Sequence, residues 1–281
     1  MTVFRAAGQG AKLSFKLWGV TLLLVVVSSA VGALATLLLP FEIVNGQTRV
    51  PPPTSAGEMA SRLIIGLGLY LPMMAFSLFL LGGVLGSAPR LLRNEAVSTG
   101  EIFQEAKRLF LPILRWGVAV VGVTLAAGMA AAFFFGFLWA VTGRSPGMKY
   151  LISAGFWGAM LAAGLLLLYS PVILVKRGGR GVMDSFKESK RFFNANRTGT
   201  FGLILWLSFI GALIWLAWAI GVAPVIGKIR AMMGIAPFAK GLPVFFFSLV
   251  LGLPAAVLSV FFPLALSIFY GGRNGHTGTG S

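Results

Sequence analysis

The stretch FGLILWLSFIGALIWLAWAIGVAPVI, Phe201 to Ile226, carries no charged residue. As a helix it would be about 39 Å long, more than the roughly 30 Å of a bilayer's hydrocarbon core. Five further runs of similar character lie at 17–39, 63–88, 109–142, 151–175 and 244–270. The third is over-long; Pro112 and Arg115 mark its interfacial end, leaving a span over about 113–142. The fold class this predicts is all-α, a polytopic transmembrane bundle of six helices.

The composition agrees. The chain has 281 residues, 57% hydrophobic and 11% charged, with a mean hydropathy of +0.90. A soluble domain is roughly 45–50% apolar and about 25% charged. Too little polar surface remains to keep such a globule in water, which excludes soluble enzymes, disordered chains and collagen-like chains. Cysteine is absent, so disulfides, thiolate metal sites and cysteine nucleophiles are excluded too, and the redox compartment stays unread.

The net charge of +16 could suggest nucleic acid. The cations sit instead in short breaks between apolar runs, where topology signals and anionic lipid headgroups explain them better. No nucleic-acid partner is expected. Of 23 Lys and Arg, 16 fall in the N-terminal segment, the second and fourth loops and the C-terminal segment. The positive-inside rule then puts both termini in the cytoplasm. Trp18, Trp116 and Trp206 fall near the inner interface, and Trp139, Trp157 and Trp218 near the outer one. The first run has a basic lead and an Ala33-Leu34-Ala35 site, but it continues to Pro40, which is long for a signal core and reads as a retained helix. One membrane domain therefore covers 1–270, and 271–281 reads as a flexible cytoplasmic tail.

An internal match organises the chain. Phe103-Gln-Glu-Ala-Lys-Arg-Leu-Phe110 recurs as Phe186-Lys-Glu-Ser-Lys-Arg-Phe-Phe193, with five of eight positions identical. Each copy leads into an odd-numbered span. A fainter third copy precedes Leu17-Trp18-Gly19-Val20, which echoes Arg115-Trp116-Gly117-Val118. The chain thus reads as three parallel repeats, each an interfacial helix followed by two spans. Ile102, Phe103, Ala106, Leu109 and Phe110 make one apolar helical face. Ser98 with Glu101, and Ser185 with Glu188, suit capping boxes. Such helices are expected to lie on the inner leaflet, apolar face down. The candidate lipid or partner contacts are Phe103, Glu105, Lys107 and Arg108, with their counterparts Phe186, Glu188, Lys190 and Arg191. The cations would meet lipid phosphate or an acidic cytoplasmic or membrane partner, and the Phe residues would anchor in the leaflet. The plainer alternative is a loop whose charges only fix topology.

Chemistry within the spans has few parts to work with. All seven acids, Glu42, Glu58, Glu95, Glu101, Glu105, Asp184 and Glu188, fall in loops or interfacial segments. That opposes proton or sodium coupling, which needs ionisable groups at depth. The single histidine, His276, sits in the Gly/Thr tail. No catalytic residues, cofactor or metal are expected. Gly82-x-x-x-Gly86 and Gly158-x-x-x-Ala162 suit close helix packing. Pro72, Pro112, Pro171, Pro224, Pro254 and Pro263 are candidate kinks, and Tyr70, Ser77, Tyr169, Ser170 and Ser208 could line a cavity or bond their own helices. On the outer side, Val50 to Pro53 reads as stiff, Ser55 and Glu58 suit a cap, and the loop 227–243, with Lys228, Arg230, Met232, Met233 and Phe238, could lie amphipathically on the leaflet.

Three stretches carry a resemblance: Gly100 to Arg115, the run Tyr169-Ser-Pro-Val-Ile-Leu-Val175, and the following 182–193 helix with its aromatic span 201–218. Together they resemble the membrane domain found beside some glycerophosphodiester phosphodiesterases and related uncharacterised six-span bacterial and archaeal proteins. Ser185 and Ser189 occupy comparable helix positions. The phosphodiesterase's catalytic domain has no counterpart here, so the resemblance implies a membrane scaffold or accessory domain in a prokaryotic cytoplasmic membrane and no hydrolase. The runner-up expectation is a permease component coupled to a separate cytoplasmic ATPase.

Overall fold

The computed structural model describes residues 2–39, 42–44, 47–49, 51–142, 146–232 and 242–274. These form α1 (Val3–Lys16), α2 (Trp18–Leu38), a hairpin of β1 (Glu42–Val44) and β2 (Gln47–Arg49), α3 (Ala56–Leu92), α4 (Thr99–Val141), α5 (Pro146–Leu167), α6 (Ser170–Lys176), α7 (Val182–Ala195), α8 (Arg197–Gly221), α9 (Ala223–Met232), α10 (Leu242–Leu251) and α11 (Leu253–Asn274). The all-α expectation holds apart from that hairpin, antiparallel with Glu42 opposite Arg49, which the sequence reading did not anticipate. Six helical segments are long and apolar enough to cross a membrane: Trp18–Leu38, Ala56–Leu92, Thr99–Val141, Ile152–Lys176, Arg197–Ile229 and Ser248–Arg273. Each coincides with one apolar run, so the chain is a multi-pass membrane protein. At the C-terminus α11 continues to Asn274, which makes 271–274 helix where a tail was expected. Residues 275–281 with His276, and Met233 and Phe238 of the 227–243 loop, lie outside the described residues.

Three of the prolines sit where a helix is interrupted. Pro171 follows the break between α5 and α6, Pro224 opens α9, and Pro254 follows the break at Gly252 between α10 and α11. Pro72, Pro112 and Pro263 sit inside continuous helices, as does Pro89. A proline removes one helical hydrogen bond, and packing around it decides whether the helix breaks.

The helices α3 and α4 have 37 and 43 residues, about 55 and 65 Å. Both exceed the roughly 30 Å of a bilayer's hydrocarbon, and the charged residues between 90 and 115 gather at their joined ends. The turn between them places Asn94 at φ 61 and starts α4 with the expected capping box: the Ser98 N–H donates to Glu101 Oε2 at 2.7 Å, and the Glu101 N–H donates to Ser98 Oγ at 3.3 Å. Arg90 of α3 closes the turn, donating to Glu101 at 2.8 Å and Glu95 at 3.1 Å. Below it the glycines of α3 let α4 approach closely. A methyl on Gly83 would lie 2.7 Å from the Ile102 carbonyl oxygen, and one on Gly82 would lie 3.4 Å from Leu109. The first small-residue motif is therefore a packing seam. Gly158 has nothing within 4 Å of where its methyl would be; the contact is made by Gly155 instead, whose methyl would meet the Phe135 ring.

The core gathers at the end of the bundle that carries most of the cations. There α1 lays Ala6, Ala7, Gly10 and Leu13 against α11, so close that a methyl on Gly10 would meet the Ala265 methyl at 3.0 Å. The first turns of α2 and α8, the last turns of α3 and α11, the first half of α4, and α6 and α7 complete it. The opposite halves of the spans splay, and Leu125, Phe133, Phe137, Trp157, Leu161 and Ile220 are exposed on them.

Candidate functional site at the basic end

The site is built on the helices that carry the repeated octapeptide. Gly178, Gly179 and Gly181, at φ 65, 82 and 73, turn the chain from α6 into α7 in a conformation that side chains rarely adopt. Gly179 also passes so near Pro112 that a methyl would meet its ring at 2.6 Å. This turn caps α7 at Gly181, one residue before Val182. Ser185 is therefore inside the helix, its hydroxyl donating to the Val182 carbonyl at 2.6 Å, and the expected Ser185–Glu188 capping box does not form. Glu188 is used elsewhere: it accepts from the Arg177 guanidinium and from the Tyr270 hydroxyl, both at 2.5 Å, and so ties α7 to α6 and α11.

The apolar face of α7 turns into the protein. Ser185, Phe186, Ser189, Phe192 and Phe193 are all buried there, which corrects the expectation that Phe186 anchors in the leaflet. Phe103 is half-buried and meets Phe79 edge-on at 5.5 Å, so it too packs on protein. Neighbouring helices cover these faces before lipid can. What the helices leave outward is charge: Lys107, Lys190 and Arg191 are exposed. Arg108 is largely exposed and pairs with Glu105 at 2.6 Å within its own helix. In both copies the acid is half-buried in an ion pair and the cations lie outward, although Glu105 pairs along α4 while Glu188 reaches Arg177 and Tyr270 on other elements.

Tyr169 sits at the centre of this end. It lies in the break between α5 and α6, fully buried, and its ring packs edge-on against Phe192 at 4.6 Å. Its hydroxyl donates to Thr200 Oγ1 at 3.2 Å. The break exposes backbone groups that α7 satisfies: Ser189 accepts from the Tyr169 N–H at 3.2 Å and donates to the Leu166 carbonyl at 2.7 Å. Pro171 offers no N–H to the Leu167 carbonyl, and the Ser170 hydroxyl supplies one at 2.5 Å while accepting from Trp116 Nε1 at 2.7 Å. Ser77 bonds its own helix and Tyr70 and Ser208 are exposed, so of the five hydroxyls Tyr169 and Ser170 alone join different helices.

Two cavities open beside the network. One of about 450 Å³ lies on the outer face of α7, lined by Arg177, Asp184, Lys187, Glu188 and Arg191. A second of about 240 Å³ lies between α3, α4, α6 and α11, where Arg108, Lys176 and Ser267 meet the apolar Leu85, Val172 and Val175. Lys176 Nζ is 4.5 Å from the centre of the Tyr270 ring. At the start of α4, ahead of the apolar run that begins at 109, the Ser98 N–H holds the Glu101 carboxyl far below its usual range, at about 2, with Arg90 and the Ser98 hydroxyl adding to it. Among the described residues no group of three His, Cys, Asp or Glu could hold a metal ion. Sequence reasoning missed Tyr169 and Ser189 as a joined unit and assigned Lys176 to topology alone; a proline-marked break facing two helical serines was the available signal.

No family model, no curated protein and no solved structure matches the chain.

Proposed function

We propose that this protein is a non-enzymatic, multi-pass scaffold or accessory protein of a prokaryotic cytoplasmic membrane, with both ends inside, which engages anionic lipid headgroups through its basic end. One observation carries the reading: α4 and α7 turn their apolar faces into the protein and leave Lys107, Arg108, Lys190 and Arg191 facing outward. Helix α1 also turns its cations outward but leaves its Phe residues outward with them: exposed Phe4 and Phe15 share one stripe, and Arg5, Lys12 and Lys16 lie about a quarter turn away. That division suits a helix at the boundary between acyl chains and phosphates. The likeness to the phosphodiesterase membrane domain supports the scaffold role, since it implies no chemistry of its own. The permease reading has less support, because neither cavity described draws a lining residue from the splayed halves of the spans.

The test places a photo-cross-linking residue at Lys107 or Lys190 in native membranes and at Phe133 as a control. Anionic phospholipid adducts at 107 and 190, in excess over the membrane's own ratio, are the expected result. Adducts that match the bulk lipid ratio at all three positions would sink the proposal.

A further inference from the structure

We infer that the cavity between α3, α4, α6 and α11 is a binding site for a phosphate-bearing anion, either an anionic phospholipid headgroup or free phosphate. The inference rests on the lipid-engaging reading above and names a discrete site for it. Two cations from different helices converge on the cavity, Arg108 of α4 and Lys176 at the end of α6. Arg108 gives one N–H-bearing nitrogen to Glu105 at 2.6 Å, and a guanidinium has five donors, so it keeps others to offer. Lys176 stands over the Tyr270 ring, and the Tyr270 hydroxyl is held in turn by Glu188, which fixes the platform beneath the ammonium group. An arginine fork and a lysine are the common partners of phosphate oxygens.

The rest of the wall suits the same class of ligand. Ser267 adds a hydroxyl. Pro89 lines the cavity one turn after Leu85 and brings no N–H to the Leu85 carbonyl. Leu85, Val172 and Val175 make the remaining surface apolar. Arg108 stands just before the apolar run 109–142 and Lys176 just after the run 151–175, a position that suits headgroup depth. Basic pockets between spans at that depth are recognised sites for acidic lipid headgroups. An apolar wall under a cationic mouth favours the lipid over the free ion.

Native mass spectrometry of the full-length protein in detergent, titrated with phosphatidylglycerol or phosphatidylcholine, tests the site. Phosphatidylglycerol should bind in preference. The pair Arg108→Gln with Lys176→Gln should weaken it about 30-fold, while Arg115→Gln with Arg180→Gln, an equal change of charge at exposed positions away from the cavity, should stay within about 3-fold. Displacement by excess inorganic phosphate identifies free phosphate as the ligand, and resistance to it identifies the lipid; both support the site. Equal losses in the two pairs would overturn the site and leave the general surface reading standing. Binding with no headgroup preference in any variant would overturn both. Should the double variant unfold, Lys176→Met against Lys176→Arg makes the same comparison, with loss expected in the first and retention in the second.

Discussion

Tyr169 and Trp157 lie twelve residues apart on one span, in opposite surroundings. Tyr169 is fully buried among Phe192, Phe269 and Tyr270, with its backbone and hydroxyl both hydrogen-bonded; Trp157 is 67% exposed and meets Phe156 alone among the aromatic rings described. The contrast extends to the whole bundle, packed at the basic end and splayed at the other. Lipid tails are as apolar as leucine, so inside the bilayer burying one apolar side chain against another gains little. Packing there has to come from small residues, hydrogen bonds and dispersion. The basic end has these in Gly82, Gly83, Ser170 and Ser189. It also carries the charged turn that joins α3 to α4, and wherever water reaches such a turn the hydrophobic effect operates as in a soluble core.

The comparison predicts unequal costs for similar changes. Tyr169→Ala removes a buried ring, its hydroxyl bond and its stacking partners, and should cost about 3–5 kcal/mol. Trp157→Ala trades ring–lipid contact for lipid and should cost under about 1 kcal/mol. Thermal unfolding of both variants in the same detergent checks this; equal shifts would show that the two ends are not differently packed.

Glycines sharpen it further. At Gly83 an added methyl meets the backbone of Ile102 at 2.7 Å and cannot be accommodated by turning a side chain. Gly83→Ala should therefore cost about 1–3 kcal/mol, the usual range for overpacking. Gly158→Ala has open space around it and should be neutral or stabilising by less than about 1 kcal/mol. The same thermal measurement distinguishes them by sign.

Much of this was legible beforehand, and the residues show why. Charge-free runs place spans because length and hydropathy are local properties, and Ser98 with Glu101 reads as a cap because both partners lie within one turn. The expectation for Phe186 fails because an amphipathic face looks identical whether lipid or protein covers it; only the fold decides which of the two does. The Ser185–Glu188 spacing predicts a cap, while the three glycines that start α7 earlier act through backbone angles, which no spacing shows. Glu188 and Tyr270 meet across 82 residues, and no local pattern carries that.

The smallest expected difference concerns acid. Glu101 and Glu58 each accept from backbone and hydroxyl at a helix start, chiefly the N–H of Ser98 and of Thr54, and both carboxyls are held at about 2 against an ordinary 4.5. A depressed carboxyl stabilises the folded state fully above the unfolded value, and the contribution is lost as pH falls toward the folded one. Both caps should therefore weaken between about pH 4.5 and 2. Their reach differs. Glu101 also receives Arg90 and joins α3 to α4 at the packed end, whereas Glu58 bonds Thr54 and Arg62 within its own helix start. Glu101→Gln should thus flatten the fall in global unfolding temperature across that window, and Glu58→Gln should leave the global curve unchanged while loosening only the first turn of α3, read by hydrogen exchange. If Glu58→Gln flattens the global curve as much, the splayed end contributes to cooperative unfolding and the division between the two ends fails.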